Sequence, residues 1–353
     1  MAEPSSPFTP ISQVGEFGLI DRLHDALGDD VPDDLAQGIG DDAAVYRIGD
    51  GRVHVVTTDA LVEGVHFDRT FAPLGTLGFK ALAVNVSDVV AMNAEPRYAT
   101  VAIGLPNNMS VEATETLYDG LALACRQYGL SIIGGDVAAA ERLFLSITVV
   151  GEAAEDAIIY RRGACPGDLL CVTGDLGSGA AGLKILLAEK EAFTERVSPT
   201  DADAASKQPD LGAWSYVVQR QLAPSARLDR IRQWREAGVQ PNALIDISDG
   251  LASEVHHLCR AGGVGARLEA ALFPIHAQTF KAAERFGDDP AQYALYGGED
   301  YELLFAISKA AAKRLPGDSF AVVGAVTDAA GEVILALPDG QTQPLTAAGF
   351  QHF

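Results

Sequence analysis

The chain has few cysteines, and they are not spaced as zinc ligands. Its 353 residues include four, Cys125, Cys165, Cys171 and Cys259, and no two of them form a Cys-x-x-Cys pair. The seven histidines are mostly scattered, so no Cys/His zinc set can be assembled from neighbouring positions. The sequence therefore argues against structural zinc and a disulfide framework, and predicts a reduced cytoplasmic protein.

Basic residues are scarce as well. Lys and Arg number 26 against 48 Asp and Glu, giving a net charge of −22. Such a field repels nucleic acids and anionic membranes, so neither is an expected partner. A site for phosphate-bearing substrates on this chain would need metal ions, or locally placed Arg and Lys, to offset the repulsion. An acidic surface that favours solubility explains much of the charge equally well.

Long apolar runs and a leader-like N-terminus are also lacking. No window approaches ~18 consecutive apolar residues, so no membrane-spanning segment is expected. Residues 1–10 contain no basic stretch followed by an apolar one, which argues against a signal peptide. Hydrophobic residues make up 48% of the chain, and its length suits about two domains.

The usual nucleotide-binding signatures are missing too. We find no G-x-x-x-x-G-K-[ST] loop, no H-R-D or D-F-G set, and no G-x-S-x-G elbow with a suitable histidine. The sequence GDLGSG at 174–179 lacks the spacing of a dinucleotide loop, and a tight strand–helix turn explains it more simply.

Hydrophobic periodicity predicts a mixture of strands and helices in both halves of the chain. In the first half, helices are expected at 13–27, 76–92 and 111–128, and strands at 53–59, 97–104, 130–133 and 143–151. In the second half, strands are expected at 169–173, 243–247, 266–273, 302–307 and 319–325, helices at 180–190 and 251–260, and a polar surface excursion at 191–212. The pattern is α+β rather than a regular βαβ repeat. We divide the chain into residues 1–150 and 151–353.

The most informative feature is the placement of the carboxylates. Each stands beside glycine, at the end of an apolar strand or inside an apolar helix: Asp41, Asp42, Asp59, Asp88, Asp136, Asp246, Asp249, Glu299 and Asp300. Any one of them has a simpler explanation, since Asp41 can form a turn and Asp249 can cap a helix. Together they predict an oxygen-rich acidic cavity, which is the environment that Mg²⁺ prefers. Several Asp residues with glycine-rich backbone suit phosphoryl transfer.

Six ordered motifs resemble the thiamine-monophosphate kinase family. They are GIGDDAA at 38–44, TTD at 57–59 with EGVHF at 63–67, KALAVNVSD at 80–88, GGD at 134–136, IDISDGL at 245–251 and GGEDYEL at 297–303. The resemblance runs from about residue 15 to the C-terminus.

The resemblance implies a fold shared with aminoimidazole ribonucleotide synthetase and selenophosphate synthetase. An N-terminal mixed-sheet domain, residues 1–150, would bind ATP and magnesium and form a homodimer. A C-terminal α/β sandwich domain, residues 151–353, would cover the active site. The implied reaction transfers the γ-phosphoryl group of ATP to thiamine monophosphate, which gives thiamine diphosphate and ADP.

The family motifs also imply residue roles. The implied magnesium ligands are Asp42, Thr57, Thr58, Asp59, Asp88, Asp136, Asp246 and Asp249. The implied ATP contacts are Gly135, Asp136, Arg161, Ser248 and Tyr118. The thiamine moiety would contact His66 and Glu299, and the implied catalytic residues are Arg161, Asp88 and Asp136. Family members often carry an aromatic residue near the C-terminus against thiamine; here 346–350 aligns with it, and no residue is assigned.

The acceptor is itself a phosphate, so charge neutralisation and in-line positioning matter more than a strong base. We therefore expect direct transfer without a covalent phosphoenzyme. Two alternatives stay open at this stage. One is another ATP-using enzyme of the same superfamily. The other is a non-catalytic nucleotide- or metal-binding regulator, against which the gathering of so many carboxylates argues.

Overall fold

The computed structural model describes residues 8–28, 31–196, 208–347 and 349. Two β-sheets, each packed against helices, account for the architecture of this part of the chain. The first sheet has six strands in the order β1-β2-β3-β6-β4-β5, with bounds Leu35–Gln37 (β1), Ala44–Gly49 (β2), Arg52–Val62 (β3), Glu95–Leu105 (β4), Ser131–Ala139 (β5) and Phe144–Ala154 (β6). Strand β6 continues to Ala154, so this sheet ends four residues beyond the boundary expected at 150.

Among the described residues of the first half there are three α-helices: Gly15–Leu27 (α1), Leu74–Ala91 (α2) and Val111–Tyr128 (α3). Helices α2 and α3 pack closely because glycine stands at their crossing. A Cβ at Gly78 would collide with the carbonyl oxygen of Leu117, and a Cβ at Gly120 would collide with that of Gly75. Helix α3 begins at an N-cap, where the Ser110 side chain accepts from the Ala113 N–H at 3.2 Å.

The second sheet has seven strands in the order β13-β12-β9-β11-β7-β10-β8. Their bounds are Leu169–Val172 (β7), Ala243–Asp246 (β8), Gly265–Glu269 (β9), Leu303–Ile307 (β10), Ala321–Thr327 (β11), Val333–Ala336 (β12) and Thr342–Pro344 (β13). Seven helices accompany it within the described residues: Ser178–Arg196 (α4), Ser215–Leu222 (α5), Leu228–Glu236 (α6), Leu251–Gly262 (α7), Ala277–Phe286 (α8), Pro290–Tyr296 (α9) and Lys309–Ala312 (α10).

Helix α2 lies at the centre of the molecule. By length and composition it could cross a membrane, yet 78% of it is buried inside the fold, as in the core helix of a globular protein. The hydrophobic core around it includes Trp234 and Phe305, which belong to the second half of the chain. The two halves therefore share apolar packing across α2, and this helix can connect a site built from both.

The structure differs from the predicted elements in several places. Helix α4 extends to Arg196, so residues 191–196 are helical where a polar surface excursion is expected at 191–212; residues 197–207 lie outside the described residues. The strand predicted at 266–273 ends at Glu269 and continues as a 3₁₀ turn, Ala270–Leu272. The strand predicted at 130–133 continues to Ala139 because it pairs with β4 along its length. Tertiary pairing thus sets ends that local composition does not.

Candidate active site

Three aspartates from distant parts of the chain meet at one point. One carboxylate oxygen from each of Asp42, Asp88 and Asp246 lies within 4.8 Å of the others. Asp42 precedes β2, Asp88 lies in the last turns of α2, and Asp246 ends β8. These residues are 46 and 158 positions apart in sequence, so the fold of both halves creates the cluster.

Each of these carboxylates has one partner that fixes its orientation. Thr57 donates to Asp88 Oδ2 at 2.6 Å, and Ser87 donates to Asp246 Oδ2 at 2.6 Å. The Arg161 guanidinium donates to Asp42 Oδ1 at 2.6 Å, and its backbone N–H points to the neighbouring Asp41. Such charge-assisted bonds hold the oxygens in place without neutralising the whole cluster.

Burial and mutual repulsion raise the pKa of these groups. Burial, followed by the charge of Asp42, raises the pKa of Asp246 to about 8. The pKa of Asp88 is raised well above its ordinary value by burial and by the nearby Asp59 and Asp246 carboxylates. The pKa of Asp59 is also raised by burial. Without a cation these carboxylates tend to keep protons, and a divalent cation would favour their ionised forms.

The chemistry of the cluster fits Mg²⁺. All of its ligand atoms are hard oxygens, and Asp42 Oδ2 is buried with no hydrogen-bond partner in the described ranges. An isolated buried carboxylate oxygen is costly unless a proton or a cation compensates it. Asp42, Asp88 and Asp246 are therefore a set of side chains that could hold a divalent ion.

The loop after β8 is held by a residue that the sequence did not single out. Glu254 in α7 is buried, and its Oε1 accepts from the backbone N–H groups of Asp249, at 2.9 Å, and Ser248, at 3.3 Å. Its Oε2 has no hydrogen-bond partner within the described residues. An acidic residue in the first turn of α7, five positions after Asp249, was the signal available in the sequence. Glu254 fixes the loop that carries Ser248 and Asp249.

Glu299 lies on an adjacent loop and has two side-chain partners. Its Oε1 is 2.7 Å from Lys80 Nζ, and its Oε2 accepts from the Gln221 side chain at 2.6 Å. The Glu299 backbone N–H donates to the Ser248 carbonyl at 2.7 Å. The predicted thiamine contact is thus attached to the loop of the acidic cluster. Lys80 and Gln221 were not assigned, although a lysine inside an apolar helix was a visible signal.

Three amides of the glycine-rich turn at 174–179, those of Leu176, Gly177 and Gly179, donate to other parts of the protein. Buried Asp300 accepts from the Gly177 N–H at 2.7 Å and from the Gly179 N–H at 3.4 Å. Burial raises the pKa of Asp300 to about 7, although Arg220 and these amides oppose the shift. The turn therefore docks the Glu299 loop against α4, which agrees with its interpretation as a tight strand–helix turn.

Other predicted residues lie away from the three aspartates. Strand β5 carries Gly135 and Asp136 at the edge of the first sheet, and Asp136 is exposed. Strands β6 and β4 separate β5 from β3, which corresponds to about 14 Å along the sheet. The Thr58 hydroxyl donates to the Ile147 carbonyl at 3.1 Å, and its side chain lies on the opposite face of β3 from Thr57. Neither Asp136 nor the Thr58 side chain joins the cluster.

The remaining predicted contacts have local environments of their own. His66 Nδ1 accepts from the Val62 backbone N–H at 3.0 Å, which orients its ring after β3. Tyr118 in α3 packs against the first core, and burial raises its pKa. The C-terminal alignment at 346–350 falls partly outside the described residues, since Ala348 and Phe350 are not among them.

Comparison with known proteins gives consistent matches. Residues 40–153 match the family model described as AIR synthase related protein, N-terminal domain. The thiamine-monophosphate kinase of Aquifex aeolicus is 36% identical over 299 residues, covering 85% of this chain and 88% of that protein. The thiamine-monophosphate kinase of Escherichia coli K12 is 34% identical over 345 residues, covering 96% and 98%. A solved structure, AaThiL complexed with AMPPCP and TMP, superimposes with a TM-score of 0.82 at 33% identity, covering 99% of this chain and 100% of that one.

Proposed function

Because the chain belongs to the thiamine-monophosphate kinase family, we propose that it transfers the γ-phosphoryl group of ATP to thiamine monophosphate, forming thiamine diphosphate and ADP. The observation that carries this proposal is the cluster of Asp42, Asp88 and Asp246 beside Arg161. Carboxylates able to hold divalent cations, next to a guanidinium group, suit a reaction in which two phosphate groups must approach each other.

We propose a direct in-line transfer without a phosphorylated enzyme intermediate. Magnesium held by Asp42, Asp88 and Asp246, with Asp59 and Asp249 nearby, would offset the charge of the two phosphate groups. Asp136 lies on β5 away from this cluster, so a magnesium ion bound by Asp136 would occupy a separate position, and several ions would then take part. A histidine or aspartate general base is not required, because the acceptor phosphate is already ionised at neutral pH.

Residues of the chain would orient the two substrates around this centre. Arg161, held between Asp41 and Asp42, would contact the transferring phosphoryl group. Ser248, on the loop fixed by Glu254, would contact ATP, as would Gly135 and Tyr118. Thr57 would orient Asp88 through its hydroxyl, and the Thr58 backbone would take part rather than its side chain. His66 and Glu299 would contact the thiamine moiety.

We also propose that the protein works as a cytoplasmic homodimer formed through the first sheet. Edge strand β5 is exposed along nearly its whole length, and Ile133 and Val137 are 64% and 66% exposed. An exposed apolar edge strand favours pairing with another chain. Residues 1–150, extended to the end of β6, would form the dimerising ATP-binding domain, and 151–353 the domain that covers the active site.

Coupled measurement of ADP release tests the proposed function. ATP, Mg²⁺ and thiamine monophosphate together should give ADP and thiamine diphosphate in equal amounts, whereas omission of Mg²⁺ should abolish both. Labelled ATP without thiamine monophosphate should leave no label on the protein. ADP release that no thiamine compound stimulates would favour another enzyme of the superfamily, and nucleotide binding without turnover would favour a regulator.

A further inference from the structure

Lys80 is a buried cation in an apolar helix, and its pairing is specific. Its side chain is only 5% exposed in the middle of α2, whose neighbouring residues are buried and mainly apolar. An ammonium group in such a place is strongly destabilising unless it is paired and hydrogen-bonded. Lys80 Nζ lies 2.7 Å from Glu299 Oε1 and donates to the Gln221 backbone carbonyl at 3.2 Å. The lysine therefore joins α2 to α5 and to the Glu299 loop.

Glu299 is fixed more tightly than a surface glutamate. Gln221, which is 4% exposed, donates its side-chain amide to Glu299 Oε2 at 2.6 Å, so each carboxylate oxygen has one partner. The backbone at Glu299 has a φ of +58°, an uncommon conformation for a residue with a side chain. The hydrogen bond to the Ser248 carbonyl holds this conformation. The carboxylate is thus oriented from both sides and from its own backbone.

We propose that Lys80 and Gln221 are positioning residues that present the Glu299 carboxylate as a fixed hydrogen-bond acceptor for the exocyclic amino group of the substrate's aminopyrimidine ring. This inference rests on the proposed function, and it deepens the role of that site. The side chain of Glu299 is 27% exposed, and a carboxylate oxygen can accept a second hydrogen bond beside the one it already has. The amino group supplies the N–H donors of thiamine monophosphate, so it is the group that such an acceptor selects.

Helix α2 sets the distance between this acceptor and the acidic cluster. Lys80 and Ser87 are seven residues apart, which places them on one face of the helix and about 10 Å apart along its axis. Lys80 pairs with Glu299, and Ser87 donates to Asp246. One rigid, buried helix therefore separates a ring-recognising end from a phosphate end. This arrangement suits an extended ligand with a ring at one end and a phosphate at the other.

The test compares two substrates rather than one. Lys80→Met and Gln221→Leu each remove one partner of Glu299 and keep the buried volume similar. Both are assayed with thiamine monophosphate and with the analogue whose pyrimidine amino group is replaced by a carbonyl oxygen. The wild-type preference for the amino substrate in kcat/KM should fall about tenfold or more in each variant, since one charge-assisted contact is lost or misaligned. The KM for ATP should stay within about twofold.

A purely structural role predicts a different result. In that case kcat/KM falls in parallel for both substrates and the preference is unchanged, which would overturn the proposal. Lys184→Met, which removes a half-exposed lysine paired with Asp288, serves as the matched control and should keep the wild-type preference. Lys80→Arg, which keeps a positive charge beside Glu299, should retain part of the preference that Lys80→Met loses. If Lys80→Met fails to fold, Gln221→Leu decides the question. A wild-type protein that phosphorylates neither substrate would instead refute the proposed function.

Discussion

At the scale of single residues, the candidate site contains a conflict of charge. Asp42, Asp88 and Asp246 stand close enough to repel one another, and Arg161 is the cation paired directly with one of them. Repulsion of this kind destabilises the folded protein, and the divalent cation proposed above would offset it. Function and stability therefore oppose each other at these positions.

Asp88→Asn should separate the effect of this carboxylate on turnover from its effect on the stability of the metal-free protein. The amide keeps an acceptor for Thr57 but removes a charge that divalent ions need, so kcat should fall by about a hundredfold or more. The free energy of unfolding of the metal-free protein should stay unchanged or rise, by up to about 1 kcal/mol, because the fold no longer has to bury an ionised carboxylate or take up a proton at this position. Turnover and thermal unfolding in EDTA measure the two quantities. Asp119→Asn, at an exposed position of α3, is the control. Near-normal turnover of Asp88→Asn would remove Asp88 from the site.

The raised pKa of Asp246 predicts how pH changes the effect of magnesium. In the folded metal-free protein this group holds a proton up to about pH 8, against an ordinary value of 3.8. Because the pKa of Asp246 is higher in the folded than in the unfolded protein, proton binding by this group favours the folded state at low pH. This contribution to the free energy of unfolding is lost as pH rises through about 4 to 8. Mg²⁺ needs the ionised form, so the increase in melting temperature that Mg²⁺ produces should grow from about pH 5.5 to about pH 8. Equal increases at both pH values would contradict the assignment, and Asp246→Asn should flatten the dependence.

The sequence motifs single out the aspartates and two of their partners, Thr57 and Arg161, but not the partners of Glu299. Asp42, Asp88 and Asp246 each lie in a motif that is visible locally. Gln221 has no local signal, because its contact with Glu299 joins residues 78 positions apart in sequence. The different orientations of Thr57 and Thr58 follow from the two-residue period of a strand, which the motif assignment did not use. The sequence therefore does not reveal which residues distant in the chain come into contact, or towards which face of a strand each side chain points.

At the scale of elements, the loop between β8 and α7 depends on a helix side chain. Glu254 holds the Ser248 and Asp249 amides, and burial, with the charges of Asp249 and Asp246, raises its pKa well above the ordinary value. A neutral carboxylic acid is thus favoured in the metal-free protein. Its carbonyl oxygen can accept both amides, as the side-chain oxygen of glutamine could.

Glu254→Ala should raise the Mg²⁺ concentration for half-maximal activity by about tenfold, because the loop loses its acceptor and Asp249 loses its fixed position. Glu254→Gln, the matched control, should stay within about threefold of wild type. A titration of activity with Mg²⁺ at saturating ATP measures both. If the alanine variant is merely less stable, with an unchanged Mg²⁺ requirement, Glu254 has no role in positioning the metal loop.

The elements themselves were predicted unevenly. Long periodic helices such as α2 and α3 were found within two residues of their ends. The elements of ten residues or fewer that were missed include α8 and α6 as well as α10 and β13, since a short element carries little periodicity. The ends of β5 depended on pairing with β4, which local composition does not encode. Length and tertiary pairing thus decide which elements a sequence reveals.

At the scale of the whole molecule, the order of strands determines what is exposed. The sequence indicates two mixed halves, but not that β5 lies at an edge while β6 and β4 lie inside. That order leaves a strand bearing Gly135 and Asp136 uncovered on an otherwise well-packed sheet. Helix α1 adds further exposed apolar residues, including Leu23 and Leu27. Both features are expected of a surface that a second copy covers.

Charges introduced on β5 should therefore separate the proposed dimer. Ile133→Lys combined with Val137→Lys places two ammonium groups on a strand whose apolar side chains would be covered by the second copy in the proposed dimer. Sedimentation should therefore show a shift from dimer to monomer. Turnover should fall with it, because Asp136 lies between these positions, whereas the melting temperature should fall little, as both side chains are exposed in the single chain. Leu272→Lys, an exposed apolar residue of the second half, should change neither property. A wild-type protein that sediments as a monomer at assay concentration, yet turns over fully, would show that the exposed edge serves something other than dimerisation.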